Sequence, residues 1–305
     1  MFFGRFAGLA GMIDTLWAFG QRLRHEELEN PFTDVRQAYQ YENVEHAKRE
    51  IAKIGERIRE EGLPAEIQPL ICGFAGYGNV SRGAQEIYDL LPVREISPED
   101  IGNVVASPNE CCKVVYYEKH MVERIADGGF ELQEYYDHPD RYRSTFYPQL
   151  RHLTLLANCI YWDQRYPRLV SCEHLRELFA SPQPPRLRVI GDITCDVNGA
   201  IECTVRTTEP DAPVFVYEPK SGQTPAGVVG DGPVILAVDH LPCELPVDSS
   251  TYFGKSLRAL VPGLARANFD RPLEESGLGP ELQRATIVYR GKLTERFRYL
   301  ESEIR

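Results

Sequence analysis

Residues 70–85 read LICGFAGYGNVSRGAQ, and this stretch decides the fold. The apolar run 70–74 predicts a buried strand, Gly76 and Gly78 a tight turn, and Asn79 the start of a helix over 79–91. Glycine is needed where a pyrophosphate must approach the backbone, and a helix N-terminus adds N–H donors and partial positive charge. The third position of a dinucleotide fingerprint, residue 81, is serine, although Gly83 follows within the helix. A bare G-x-G-x-x-S is weak, so the weight rests on the strand–turn–helix context, with a plain βα turn as the alternative.

Apolar runs at 93–96, 113–117, 153–161, 186–193, 214–218 and 234–238 predict further strands, with a helix over 171–180 between two of them. Alternating strands and helices imply an α/β protein whose Rossmann-type, mostly parallel sheet is covered on both faces. Two helices precede the first strand. Residues 6–24 place Leu9, Met12, Ile13, Leu16 and Trp17 on one face, and 37–61 carries a stripe of Val44, Ala47, Ile51, Ile54 and Ile58. Gly62 and Pro64 end the second. Residues 116–152, rich in tyrosine, histidine and charge, are long for a loop and predict a structured insertion, functional or decorative. Beyond 240 the sequence predicts a turn, a helix capped by Asp248 or Ser249, then a strand and a charged terminal helix. The domain division expected is 1–65, a dinucleotide-binding domain over 66–240, and 241–305.

Composition narrows the function. A net charge of -11 and a pI near 5.2 argue against nucleic acid or an anionic membrane as partner. The eight cysteines form no C-x-x-C pair, which points to reduced thiols in the cytoplasm and to no metal site. No apolar stretch reaches the ~20 residues of a membrane helix.

Ligands of open α/β sheets lie at the carboxyl ends of the strands. After the second strand, in PVREISPED, Glu95 or Ser97 would meet a ribose and Arg94 a 2′-phosphate, or all three would face solvent. Tyr161, Asp192, Thr194 and Asp196 follow the next strands, with turn-capping as the alternative for the aspartates. His240, beside Asp239, suits a structural or ribose-contacting role.

FFGRFAGLAGM (2–12), GYGNVSRGAQEIYDLLP (76–92), YYDHPDRYRSTF (135–146), NCIYW (158–162), GDITCDVNGAIE (191–202) and VDHLPCELP (238–246) together resemble one family. It is the lysine–2-oxoglutarate reductase, or L-lysine-forming saccharopine dehydrogenase, family, and YYDHPDRY points to the aminoadipic semialdehyde synthase branch. Alanine dehydrogenase and transhydrogenase are more distant relatives. The resemblance implies a Rossmann-type domain flanked by parts of a second α/β substrate domain. It also implies NAD(P)H-dependent reduction of the imine of L-lysine and 2-oxoglutarate to saccharopine. Gly76, Gly78, Asn79 and Val80 would meet the pyrophosphate, and Ser97 the adenosine ribose. Tyr161, Asp192, Ile193, Val238, Asp239, His240 and Leu241 would line the nicotinamide side, and Phe3 the substrate pocket. Serine at the ribose position, with Arg94 beside it, tilts the cofactor from NAD(H) towards NADP(H). The family's catalytic lysine and histidine are expected upstream of Met1, so no catalytic residue is assigned in this chain and a separate chain carrying that half is an expected partner. Helix 6–24 and residues 247–305 are then expected to pack on that half. A non-catalytic nucleotide-binding or regulatory subunit is the alternative. An alanine-dehydrogenase-like enzyme is a further one, which the YYDHPDRY insertion argues against.

Overall fold

The computed structural model describes residues 3–183 and 185–301. Phe2 of the first family motif, and residues 302–305 of the expected terminal helix, lie outside the described residues. The chain divides into two compact units, Phe3–Ser249 and Ser250–Arg305.

In the first unit the strands are β1 (Leu70–Ala75), β2 (Val93–Glu95), β3 (Cys111–Tyr116), β4 (Val122–Arg124), β5 (Tyr142–Ser144), β6 (Leu155–Asn158), β7 (Val189–Asp192), β8 (Val214–Val216) and β9 (Val234–Leu236). Its helices are α1 (Gly4–His25), α2 (Val44–Glu61), α3 (Asn79–Tyr88), α4 (Glu118–Met121), α5 (Leu132–Asp137), α6 (Tyr147–Leu150) and α7 (Cys172–Ala180). The seven strands expected between 70 and 238 join one sheet in the order β2-β3-β1-β6-β7-β9-β8, parallel except for the β8–β9 pair. The class is α/β, as the alternation requires.

The order carries a departure from the simplest Rossmann plan. Strand β2 pairs only with β3 and lies at the sheet edge, while β3 pairs with β1 along its full length, from Leu70↔Cys111 to Ala75↔Tyr116. Three residues at an edge bury little and do not displace the longer Cys111–Tyr116 run, which is buried except for Val115.

Alternation within the strands builds a core on each face. Leu70, Cys72 and Phe74 face the side covered by α1, α2 and α3, whereas Ile71 and Ala75 face the side covered by the insertion and α7. Helix α1 is expected to pack on a segment outside the chain; instead Phe6, Leu9, Met12, Ile13, Leu16 and Phe19 are buried within this unit. Its partners are α3 and the sheet, and its small residues explain the fit: a Cβ at Gly8 would stand 1.9 Å from the Val80 carbonyl oxygen, and one at Gly83 2.0 Å from that of Arg5. Backbone meets backbone there. The second helix begins at Val44 rather than 37, because Asn43 accepts the His46 N–H at 2.8 Å and caps it.

Helix α8 (Pro246–Leu257) leads the chain out of the first unit. Asp248 does not cap its own helix but accepts the Val44 N–H at 2.9 Å. The second unit holds α9 (Val261–Arg266), α10 (Pro280–Ala285) and a hairpin of β10 (Val288–Tyr289) and β11 (Lys292–Leu293). The expected charged helix is thus a hairpin strand followed by a 3-10 turn over Glu295–Leu300. Arg290 and Gly291, at φ 49° and 78°, make the two-residue turn that reverses the chain.

Candidate functional site

The glycine turn stands at the carboxyl end of β1. Gly76 has φ 94°, a left-handed conformation that favours glycine, and its N–H donates to the Tyr116 carbonyl at 3.0 Å. Gly78 is the N-cap of α3, with ordinary extended backbone and no side-chain cap hydrogen bond. Among the described residues, a Cβ built on Gly78 meets nothing within 4 Å. The turn therefore leaves open space directly over an uncapped helix start, the shape and polarity a diphosphate requires. On the other side of α3, a Cβ at Gly4 would lie 3.4 Å from Asn79 Cβ and from Val80 Cγ2, so the start of α1 braces the turn.

A cavity of about 270 Å³ opens beside the turn, and Gly76, Tyr77, Gly78, Glu118, Tyr136 and Tyr161 are among the residues that line it. The insertion builds its outer wall. Hairpin β4–β5 and α5 are clamped around Glu134, which accepts from Arg124 Nε at 2.8 Å, Tyr142 Oη at 2.9 Å and Arg141 at 3.1 Å. The Arg124 guanidinium, then the Tyr142 hydroxyl and Arg141, hold the Glu134 carboxyl down to about 2. With α5 fixed, Tyr136 donates to Glu118 Oε1 at 2.8 Å, and Tyr77 to the same oxygen at 3.4 Å. The Tyr77 and Tyr117 rings stack at 4.5 Å. Burial, followed by the hydrogen bond and charge of Glu118, pushes the Tyr136 hydroxyl well up, so it stays a donor at neutral pH.

The structure brings Gly76, Gly78 and Tyr161 into one cavity, with Asn79 and Val80 opening the helix behind them. Tyr161 is largely exposed and its hydroxyl donates to Asp163 at 3.2 Å. Ser97 stands apart, after edge strand β2, with its hydroxyl on Asp100 at 2.9 Å. Arg94 donates to Glu110 at 2.8 Å.

Asp192 is fully enclosed at the end of β7, accepting from Asn158 at 2.8 Å, Thr204 at 2.5 Å and the Cys195 N–H at 3.3 Å. Burial pushes its carboxyl up to about 6 against those hydrogen bonds. Its visible work is to shape the turn after β7, the capping alternative. Ile193 is buried against Gly11 of α1, where a Cβ would come within 2.7 Å. After β9, Val238 and Leu241 are buried, while His240 Nδ1 lies 2.5 Å from Asp239 Oδ1 and its Nε2 3.7 Å from Glu209. Phe3 is the N-cap of α1 and about one-third exposed, at 36%. Residues 161, 193 and 238–241 follow β6, β7 and β9 and Asp192 ends β7, all on the carboxyl edge that Gly76 also occupies.

Glu118, Tyr77 and Tyr136 do not figure among the residues the sequence nominates. Glu118 was legible as the polar end of the 113–117 run, but nothing in the sequence places that run beside β1.

A mostly parallel sheet with a glycine turn at the end of β1 defines a Rossmann-type protein. The solved structure of an L-alanine dehydrogenase shares the fold, with a TM-score of 0.52 and 13% identity over 100% of this chain and 65% of that one. In sequence, the chain is 36% identical over 313 residues to alpha-aminoadipic semialdehyde synthase of Arabidopsis thaliana, covering 98% of this chain and 29% of that protein. The mitochondrial alpha-aminoadipic semialdehyde synthase of Bos taurus is 32% identical over 316 residues, covering 98% and 34%. Saccharopine dehydrogenase [NAD(+), L-lysine-forming] of Emericella nidulans is 33% identical over 118 residues, 36% of this chain and 27% of that protein. No family model matches. The chain is similar to these synthases along 98% of its own length, and it spans 29% to 34% of theirs. Among the described residues, no helix is long and apolar enough to cross a membrane.

Proposed function

We propose that this chain is the dinucleotide-binding part of an NAD(P)H-dependent lysine–2-oxoglutarate reductase. The observation that carries the reading is the open space over Gly78 at the uncapped start of α3, on a chain related along 98% of its length to the synthases. Gly76 and Gly78 let a diphosphate approach, and the first N–H groups of α3, from Asn79 and Val80, hold it. Tyr161, Ile193 and the 238–241 segment border the nicotinamide side, and Phe3 the substrate. The chemistry a reduced nicotinamide supplies is hydride donation to the carbon of the lysine–2-oxoglutarate imine, which with one proton on nitrogen gives saccharopine. The acid–base lysine and histidine of the family are not assigned to residues of this sequence.

The sequence leans to NADP(H) on Arg94 and Ser97. Both side chains are already engaged, by Glu110 and Asp100, which weakens that preference. All eight cysteines are free and six are buried, which suits a reducing compartment such as the cytoplasm.

Gly78→Val tests the reading. Gly78 has backbone angles any residue adopts and open space around it, so the variant is expected to unfold within about 2 °C of wild type, the shift of a near-neutral substitution. The new side chain fills the place of the diphosphate, and NADH and NADPH fluorescence titrations are expected to show at least a roughly 30-fold loss of affinity, about 2 kcal/mol. Unchanged affinity refutes the site. Saccharopine formation from lysine and 2-oxoglutarate, followed with and without the partner half, separates a reductase from a nucleotide-binding regulatory module.

A further inference from the structure

We propose that the amino edge of the sheet, opposite the glycine turn, carries a site for a small dianionic oxyanion, built from Arg186, Arg151 and His152. It stands apart from the dinucleotide reading above and does not depend on it.

Register supplies the first argument. Strand β6 pairs in parallel with β1 and β7, at Cys72↔Leu155 and Leu155↔Val189. One residue earlier the Thr154 N–H donates to the Ile71 carbonyl at 2.8 Å, and the Arg188 N–H to the Thr154 carbonyl at 2.9 Å. Carried back to the ends of the strands, the same register sets His152 between Pro69 and Arg186. The Arg186 side chain spans that gap. Its Nη2 donates to the Pro69 carbonyl at 2.7 Å and to the Ile67 carbonyl at 3.3 Å, so it crosses the amino end of β6 to reach that of β1.

Bonding supplies the second. Two main-chain carbonyls orient the Arg186 guanidinium without neutralising it. Its Nε is enclosed and, among the described residues, meets no acceptor, while Nη1 is left for a ligand. Among the described residues, no carboxylate pairs with Arg186, Arg151 or His152. Glu26, which holds Arg188 at 3.0 Å, is shared with Arg22 at 2.7 Å. A half-buried guanidinium with no counter-charge is what an oxyanion completes.

Charge supplies the third. Burial, then the charges of Arg151 and Arg186, lowers the affinity of His152 for a proton. Burial, then the charge of Arg188, does the same to Arg186. These basic side chains crowd one edge of a chain whose net charge is -11. Like charges gathered in one place favour a bound anion, which gains from all of them at once. Arg151 is exposed and His152 and Arg186 are half-buried, so the place is open to solvent. An oxyanion there accepts from both guanidinium groups, and from His152 once it is protonated. Sulfate, phosphate and a dicarboxylate share that chemistry.

The test is calorimetric titration of the full chain with sodium sulfate, inorganic phosphate and malonate, at an ionic strength held constant with sodium chloride. Each is expected to bind at least about tenfold tighter than chloride. Arg186→Gln is expected to lose about tenfold in sulfate affinity and Arg151→Gln about threefold, each variant checked by its melting temperature. Gly78→Val and saturating NADH are expected to leave sulfate binding in place, because the glycine turn lies at the other edge. Bound sulfate is also expected to raise the midpoint of the His152 imidazole titration, read by NMR, by about half a pH unit, and reciprocally to bind about threefold tighter at pH 5 than at pH 8. Malonate tighter than sulfate assigns the site to dicarboxylates and the reverse to phosphates, and either order supports it. Sulfate binding that Gly78→Val or NADH abolishes, an unchanged affinity in Arg186→Gln, or a His152 midpoint that sulfate does not move overturns the inference. Should Arg186→Gln fold poorly, Arg151→Gln, at an exposed side chain, decides in the same way.

Discussion

Replacing Gly8 by alanine is expected to destabilise the protein by about 4 kcal/mol or more, beyond the range of ordinary substitutions. The added methyl would lie 1.9 Å from the Val80 carbonyl oxygen, 2.7 Å from the Ala84 nitrogen and 2.9 Å from the Val80 carbonyl carbon. All three are backbone atoms of α3, so no rotamer change relieves the overlap and the helices must separate. Separation opens a core in which Leu9, Met12, Ile13 and Leu16 are wholly buried, and overpacked cores do not yield cheaply. Because the start of α1 braces Asn79 and Val80, nucleotide affinity is expected to fall with stability. Gly254→Ala is the control: it sits inside α8 with nothing within 4 Å of a Cβ, and is expected to gain roughly 0.5 kcal/mol from helix propensity. Urea unfolding followed by circular dichroism reads both variants. A Gly8→Ala midpoint close to wild type would mean that the α1–α3 approach is looser than described.

The seven strands of the main sheet are legible because strands buried on both faces read as short apolar runs bounded by turns. Their order is not, because no local signal says that the three residues of β2 go to the edge and that β3 pairs with β1. That single exchange brings Glu118 rather than Ser97 to the glycine turn. The stripe on α1 is legible, but its partner is not. Gly8, Ala10 and Gly11 hint at close approach without naming α3 and Ile193 as what approaches. Asp192 marks a strand end in the sequence, while its enclosure depends on Asn158 and Thr204, which only the fold assembles. Asp14 reads as a polar interruption of an apolar helix. Its partner, Glu244, lies in a 3-10 turn (Leu241–Glu244) near the far end of the first unit, and no periodicity connects the two.

Between pH 6 and pH 9 the protein is expected to lose stability, and Glu244→Gln is expected to remove most of that loss. Asp14 and Glu244 are both fully enclosed, at 0% and 2% exposure. The Ala38 N–H reaches Asp14 Oδ1 at 2.7 Å, while among the described residues no side-chain donor reaches Asp14 Oδ2 or Glu244, which has only the Tyr39 backbone beside it. Two facing carboxyls can then satisfy each other only by holding a proton between them. Burial pushes Asp14 up to about 6, and burial together with the charge of Asp14 pushes Glu244 up to about 10. The folded state therefore holds more protons than the unfolded chain from the ordinary carboxylate range up to those values. The stabilisation is complete below about pH 4 and is lost as pH rises through 6 towards 10. One proton held in excess corresponds to about 1.4 kcal/mol per pH unit, so the fall from pH 6 to pH 9 has an upper limit of roughly 4 kcal/mol. Glutamine offers Asp14 a permanent N–H donor and needs no proton, so Glu244→Gln is expected to flatten the slope and to exceed wild type in stability at pH 9. Asp192, also raised to about 6, contributes in the same direction near neutrality and leaves a smaller residual slope in the variant. Urea midpoints at pH 6 and pH 9 decide the matter, and an identical slope in wild type and Glu244→Gln rules the shared proton out. The turn that carries Glu244 follows directly on Asp239 and His240, so the crevice edge after β9 is held to α1 by a contact that weakens as pH rises.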